Sequence, residues 1–188
     1  TATNPGDVWQ LRDGTTSRLT TTFDFVAETY WLPKQETITW QGADSETVEG
    51  ILYYPRNYRE GTPSPLIVQT HGGPRGSDKL NFPRPRNFVQ LATNNGWLVF
   101  KPNYRGSTGY GDEFMRNMVG NYWNQSHLDV MTGVDHLINE GIAYSEHMVK
   151  MGWSAGGHMT NKIITHTDRF KAASSGAGAS NWLSMYSQ

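Results

Sequence analysis

Gly152-Trp153-Ser154-Ala155-Gly156 sets a serine between glycines placed two residues to either side. A serine hydroxyl can attack an acyl carbon when a sharp strand-to-helix turn lifts it clear of its neighbours, and flanking glycines keep side chains out of its approach. The apolar run His147-Met-Val-Lys-Met151 upstream predicts the strand, and residues 157–164 predict the helix, so the pentapeptide reads as a nucleophile elbow. Acyl transfer also needs two preorganised N–H donors for the oxyanion. In such a turn one donor is the residue after the nucleophile, Ala155, and the other comes from a glycine loop. His71-Gly72-Gly73-Pro74, directly after the predicted strand at residues 66–70, supplies that loop, with Gly73 as the donor. Both motifs fall at the C-terminal ends of predicted strands, where open α/β sheets place their sites.

A serine nucleophile near neutral pH needs an imidazole within hydrogen-bond reach. His158 follows on the elbow helix but on an element that runs away from the hydroxyl, and His71 belongs to the glycine loop, where it reads as a packing residue. His127, His136, His147 and His166 read as exposed or capping residues. Asp129, Asp135 and Asp168 read as a cap and solvated or locally paired carboxylates. No base is assigned within the chain. The histidine spacings also give no metal site, because no two sit at i, i+4 on one helical face, and no cofactor is called for.

The elements that must position these residues alternate. Residues 7–20 read as a hairpin around Asp13-Gly14, and residues 36–40 and 48–54 as a second hairpin around the polar turn at 42–45. Residues 55–65 read as an exposed loop. From Leu66 onward short apolar strands alternate with amphipathic helices: strand 66–70, helix 86–95, strand 97–100 ended by Pro102, helix 129–140 with Val130, Val134, Leu137 and Ile138 on one face, then the elbow and a strand at 170–174. That alternation predicts a mostly parallel sheet with helices on both faces, an α/β architecture.

The chain has 188 residues, the size of one domain, and 16 basic against 17 acidic residues leave a net charge of −1. No like-charge run marks a nucleic-acid or anionic-membrane partner. The absence of cysteine excludes disulfides, zinc thiolates and a thiol nucleophile. No stretch has the length of a membrane span, so a soluble chain is expected, with cytoplasmic and secreted locations both open. The lack of an initiating Met allows excision from something longer.

Asn103-Tyr-Arg-Gly-Ser-Thr-Gly-Tyr-Gly111 lies between the two site motifs. His71 to Pro74, this segment and Gly152 to Gly157, in that order, resemble the catalytic domain of the prolyl oligopeptidase family of serine peptidases, in particular its acylaminoacyl-peptidase and dipeptidyl-peptidase branches. The resemblance implies an α/β-hydrolase fold, incomplete at its C-terminal end, over residues 36–188, with residues 1–35 a remnant of propeller strands or a linker. It implies Ser154 as nucleophile, Gly73 and Ala155 as the oxyanion hole, and Arg105 and Tyr110 as site-shaping residues alongside His71. It places the triad Asp and His after the elbow, beyond Gln188. Three readings follow: a serine hydrolase acting on a peptide or small ester whose base-bearing segment lies outside this chain; a short-form esterase completed by a resident or partner-supplied histidine; and a non-catalytic binding module. A sheet lacking its last strands would expose surface such as Ile163 and Ile164, so a homo-oligomer or a complementary C-terminal fragment is the expected partner.

Overall fold

The computed structural model describes residues 3–82 and 88–187. Strands β1 (Trp9–Arg12) and β2 (Thr15–Arg18) pair as an antiparallel hairpin, with Asp13 and Gly14 in its turn at φ 50° and 77°. Both residues of a type I′ turn need positive φ, which suits an Asp-Gly pair. Helix α1 (Asp24–Thr29) follows, and this hairpin forms a sheet of its own.

The main sheet contains β3 (Gln35–Gln41), β4 (Thr47–Tyr53), β5 (Ser64–Thr70), β6 (Leu98–Asn103), β7 (Ala143–Trp153) and β8 (Ala172–Gly176), in the spatial order β3-β4-β6-β5-β7-β8. The β3, β4 and β6 pairings are antiparallel, while β6, β5, β7 and β8 run parallel. Helix α2 (Val89–Asn94) connects β5 to β6; α3 (Asp112–Arg116) and α4 (Ser126–Asn139) connect β6 to β7; α5 (Ala155–Ile164) connects β7 to β8; α6 (Trp182–Tyr186) comes last. The chain therefore leaves β5 toward one side to build β6 and later returns to its other side to build β7. The crevice at such a switch point, at the carboxyl ends of the strands, is where this architecture binds ligands.

Alternation along the strands feeds two cores. Leu52, Leu66, Val68, Leu98 and Phe100 join Val130, Val134 and Leu137 of α4 and Met159 and Ile163 of α5 on one face. Ile51, Tyr53 and Val99 join Val89 and Ala92 of α2 on the other. Helices thus cover both faces, as the strand and helix periodicities require.

Several expectations need correction. Pro102 does not end its strand: the β5–β6 ladder stops at Val68 opposite Phe100, so beyond that point the missing proline N–H interrupts nothing on the β5 side. The helix expected at 86–95 runs Val89–Asn94 with Phe88 as its N-cap, residues 86 and 87 lying outside the described residues. Helix α4 starts at Ser126, before Asp129, so Asp129 is not a cap; it is fully buried and takes another role. Ile163 is fully buried in the core, whereas Ile164 is exposed, because α5 turns the former toward the sheet.

Candidate active site

The segment at the end of β7 bends sharply into α5, with Ser154 at φ 58° and ψ −124°. A non-glycine residue rarely occupies positive φ and persists there only when its surroundings hold it. The Ser154 N–H donates to the Gly176 carbonyl at 2.8 Å, and the Ser154 carbonyl accepts from the His158 N–H at 3.0 Å. Close packing below the turn fixes it further. A Cβ on Gly156 would lie 2.1 Å from the Thr70 carbonyl oxygen, so only glycine lets α5 approach the end of β5 this closely.

The same packing brings the two motifs together. A Cβ on Gly72 would lie 3.2 Å from Ser154 Cβ and 3.8 Å from its Oγ, which puts the glycine loop directly against the serine. Among the described residues, the backbone N–H groups of Gly73 and Ala155 have no acceptor, as the first residue of a helix leaves its N–H free. Ser154 is exposed, and its Oγ likewise has no hydrogen-bond partner among the described residues. The hydroxyl opens onto a hollow of about 300 Å³ whose walls include Pro74, Tyr122, His158, Trp182 and Met185. A larger groove of about 690 Å³, between Trp31, Tyr54 and Ile142, lies at the opposite end of the sheet and contains none of these groups.

The glycine loop is anchored from behind. Its first residue, His71, stacks on Tyr104 at 4.6 Å, and the Tyr104 hydroxyl donates to the His71 carbonyl at 2.7 Å. His71 Nδ1 lies 2.9 Å from the Gly72 carbonyl and Nε2 2.9 Å from Ser107 Oγ. Only a protonated Nδ1 can donate to a carbonyl, which assigns that tautomer to the neutral ring. Burial lowers the His71 pKa, partly offset by the Gly72 carbonyl, and the ring serves as a loop anchor.

Arg105 and Tyr110 are built into the scaffold beside the loops and do not line the hollow. The Arg105 backbone N–H and Nε each donate to Asp129 Oδ2 at 2.9 Å, its Nη2 reaches Oδ1 at 2.5 Å, and its Nη1 pairs with Asp44. Ser126 Oγ donates to the Arg105 carbonyl at 2.7 Å. These bonds tie the segment after β6 to α4 and to the β3–β4 turn, and the Asp129 bonds raise the Arg105 pKa further. Tyr110 accepts from Asn103 Nδ2 at 2.8 Å and donates to Glu49 at 2.7 Å; burial, then Glu49, raises its pKa.

None of the histidines hydrogen-bonds Ser154 Oγ. His158, which shares the hollow, is held among Tyr122, Trp123 and Trp182 at ring separations of 5.4, 5.7 and 5.4 Å, with its Nδ1 buried and without a partner among the described residues. Burial lowers its pKa. His127 packs against Trp123 and His166, and His166 caps the end of α5 through the Lys162 carbonyl at 2.8 Å. Asp135 pairs with Arg169 at 2.7 Å. Among the described residues there is no cluster of three or more metal-ligating side chains, and no helix is long and apolar enough to cross a membrane.

Three features escaped the sequence reading. Asp129 is the anchor of Arg105; Tyr122 and Trp182 wall the hollow; Lys150 lies fully buried beneath the elbow. The last carried a signal, a lysine two residues from Met148 and Gly152 on the inward face of β7. The pairing of Asp129 with Arg105 carried none, since the partners sit on different elements.

A strained serine between a parallel strand and a helix, faced by a glycine loop at the switch point of a mixed sheet, defines an α/β-hydrolase-type site. The sequence profile of the prolyl oligopeptidase family matches residues 84–188, and the chain belongs to that family. It is 35% identical over 152 residues to the uncharacterized peptidase YuxL of Bacillus subtilis, covering 80% of this chain and 23% of that protein. It is 34% identical over 177 residues to dipeptidyl peptidase family member 6 of Caenorhabditis elegans, covering 83% of this chain and 24% of that protein. The acylaminoacyl peptidase of Pyrococcus horikoshii superposes with a TM-score of 0.88 at 30% identity, over 100% of this chain and 30% of that one. The chain thus spans about a quarter of the curated relatives it matches.

Proposed function

We propose that this chain contributes the nucleophile and the oxyanion hole of a serine peptidase. Ser154 Oγ attacks the carbonyl carbon of a peptide or ester, the carbonyl oxygen takes the negative charge, and the leaving amine or alcohol departs to give an acyl-enzyme that water then hydrolyses. The N–H groups of Gly73 and Ala155 receive the oxyanion. The observation that carries this reading is Ser154 at φ 58° with Gly72 packed against it, a conformation that costs free energy and leaves the hydroxyl free on the open side.

The apolar walls of the hollow beside Ser154 suit a substrate side chain of similar character, and the names of the related peptidases suit a peptide substrate. In a Ser-His-Asp arrangement of this kind the general base is an imidazole. Since His158 is enclosed by aromatic rings and bonds to nothing at Ser154, the reading requires an imidazole from beyond residues 3–187 rather than a resident one. The separate β1–β2 sheet is consistent with residues 1–35 belonging to a neighbouring propeller or linker and residues 36–188 to the N-terminal part of the catalytic domain.

The test is hydrolysis of p-nitrophenyl acetate and of a chromogenic peptide by the full-length protein and its Ser154→Ala variant. The expected result is loss of at least about 10³-fold in kcat/KM for both substrates. Retained turnover in Ser154→Ala would remove the serine from the mechanism.

A further inference from the structure

Beneath the elbow lies a charged group with no role in the chemistry just described. Lys150, on β7, is fully buried. Its Nζ donates to Thr70 Oγ1 at 2.8 Å, to the Met151 carbonyl at 2.9 Å and to Thr160 Oγ1 at 3.0 Å. Three donors meet three acceptors, so an ammonium here is fully used. Thr70 Oγ1 and Thr160 Oγ1 each pass their own proton to the Gly156 carbonyl, at 3.0 and 2.9 Å. Lys150, Thr70, Gly156 and Thr160 therefore close a ring of hydrogen bonds. Since both hydroxyl protons are committed to Gly156, each threonine offers the amine only lone pairs.

The corners of this ring belong to the pieces that must meet at the site. Thr70 ends β5 and leads into His71-Gly72-Gly73; Lys150 lies on the strand that delivers Ser154; Gly156 and Thr160 lie on the helix whose first N–H is that of Ala155. Burial lowers the Lys150 pKa, while three oxygen acceptors around Nζ favour the ammonium form; no carboxylate among the described residues pairs with it. A buried ammonium without a counter-ion is less stabilising than an apolar residue of the same length. Its position under the site calls for a gain other than stability.

We propose that Lys150 is a positioning residue for acyl transfer, its ring with Thr70, Gly156 and Thr160 setting the gap between the Ser154 turn and the Gly72–Gly73 loop. The proposal rests on Ser154 being the nucleophile. An error of about 1 Å in such a gap costs on the order of 10²-fold in rate.

The experiment measures kcat, KM and thermal unfolding in the full-length protein. Lys150→Met keeps the stem and removes the three donors. It is expected to unfold at or above the wild-type temperature, with kcat down about 10- to 100-fold and KM within about twofold. Thr160→Val opens the ring at another corner and gives the same loss in kcat, while Thr160→Ser, which keeps the hydroxyl, restores it. A folded Lys150→Met with wild-type kcat overturns the proposal, as does a Thr160→Ser variant as slow as Thr160→Val. If Lys150→Met does not fold, the Thr160 pair decides alone. Ser154→Ala separates the two levels. If it still hydrolyses substrate, the nucleophile reading falls and the positioning role with it; if it is inactive while folded Lys150→Met is fully active, only the positioning role falls.

Discussion

Arg105 and Arg18 each hold two aspartates, yet they work in different settings. Arg105, its side chain 4% exposed, joins Asp129 and Asp44 beside the candidate site; Arg18, 28% exposed, joins Asp7 and Asp24 on the β1–β2 hairpin. The first cluster also receives a backbone N–H and links three segments distant in sequence. The second links the hairpin to the adjoining α1, with Asp24 41% exposed and Asp7 covered by its neighbours. The same ion chemistry is a structural anchor where water is excluded and a minor contact where it is not.

The comparison can be broken at its strong end first. Asp129→Ala leaves the Arg105 guanidinium buried with one partner that is itself half exposed, and is expected to cost about 3–5 kcal/mol in thermal or urea unfolding. A loss comparable to that of a surface pair would mean that water enters the cluster. Next, Gly156→Ala forces a Cβ into the Thr70 carbonyl. The expected cost is about 1–3 kcal/mol, accompanied by slower reaction of Ser154 because the loop at residues 71–73 must move.

A smaller effect is pH dependence near the glycine loop. Burial lowers the His71 pKa below its usual 6.5, so below that pH the unfolded chain takes up a proton that the folded chain resists. Stability is therefore full above about pH 6.5 and falls as pH drops below it. His71→Asn should flatten this slope in melts across that range, with His127 and His158, whose pKa values burial also lowers, retaining the remainder. An unchanged slope would show that His71 is protonated in the fold. The smallest effect is expected of Arg18→Ala, whose melting temperature should fall only slightly because Arg18 and Asp24 remain open to water; a drop as large as that of Asp129→Ala would erase the contrast between the clusters.

Local patterns made much of this molecule legible. The short apolar runs of β4, β5 and β6, the Asp13-Gly14 turn and the glycine spacing around Ser154 are properties of neighbouring residues, and each led to the element found. What stayed hidden depends on distant parts of the chain. Asp129 resembles a helix cap until Arg105 is folded onto it, and Pro102 resembles a strand end until the β5–β6 ladder is seen to stop at Phe100. Helices α1, α3 and α6, each of six residues or fewer, are too short for a 3.6-residue period to register.

The most direct test is to treat the full-length protein with a fluorophosphonate and locate the adduct by peptide mass spectrometry. The predicted result is a single modified residue, Ser154, with no modification in Ser154→Ala and slowed modification in Gly156→Ala. An adduct on another serine, or none in an enzyme that hydrolyses its substrate, would contradict the assignment of Ser154 as nucleophile.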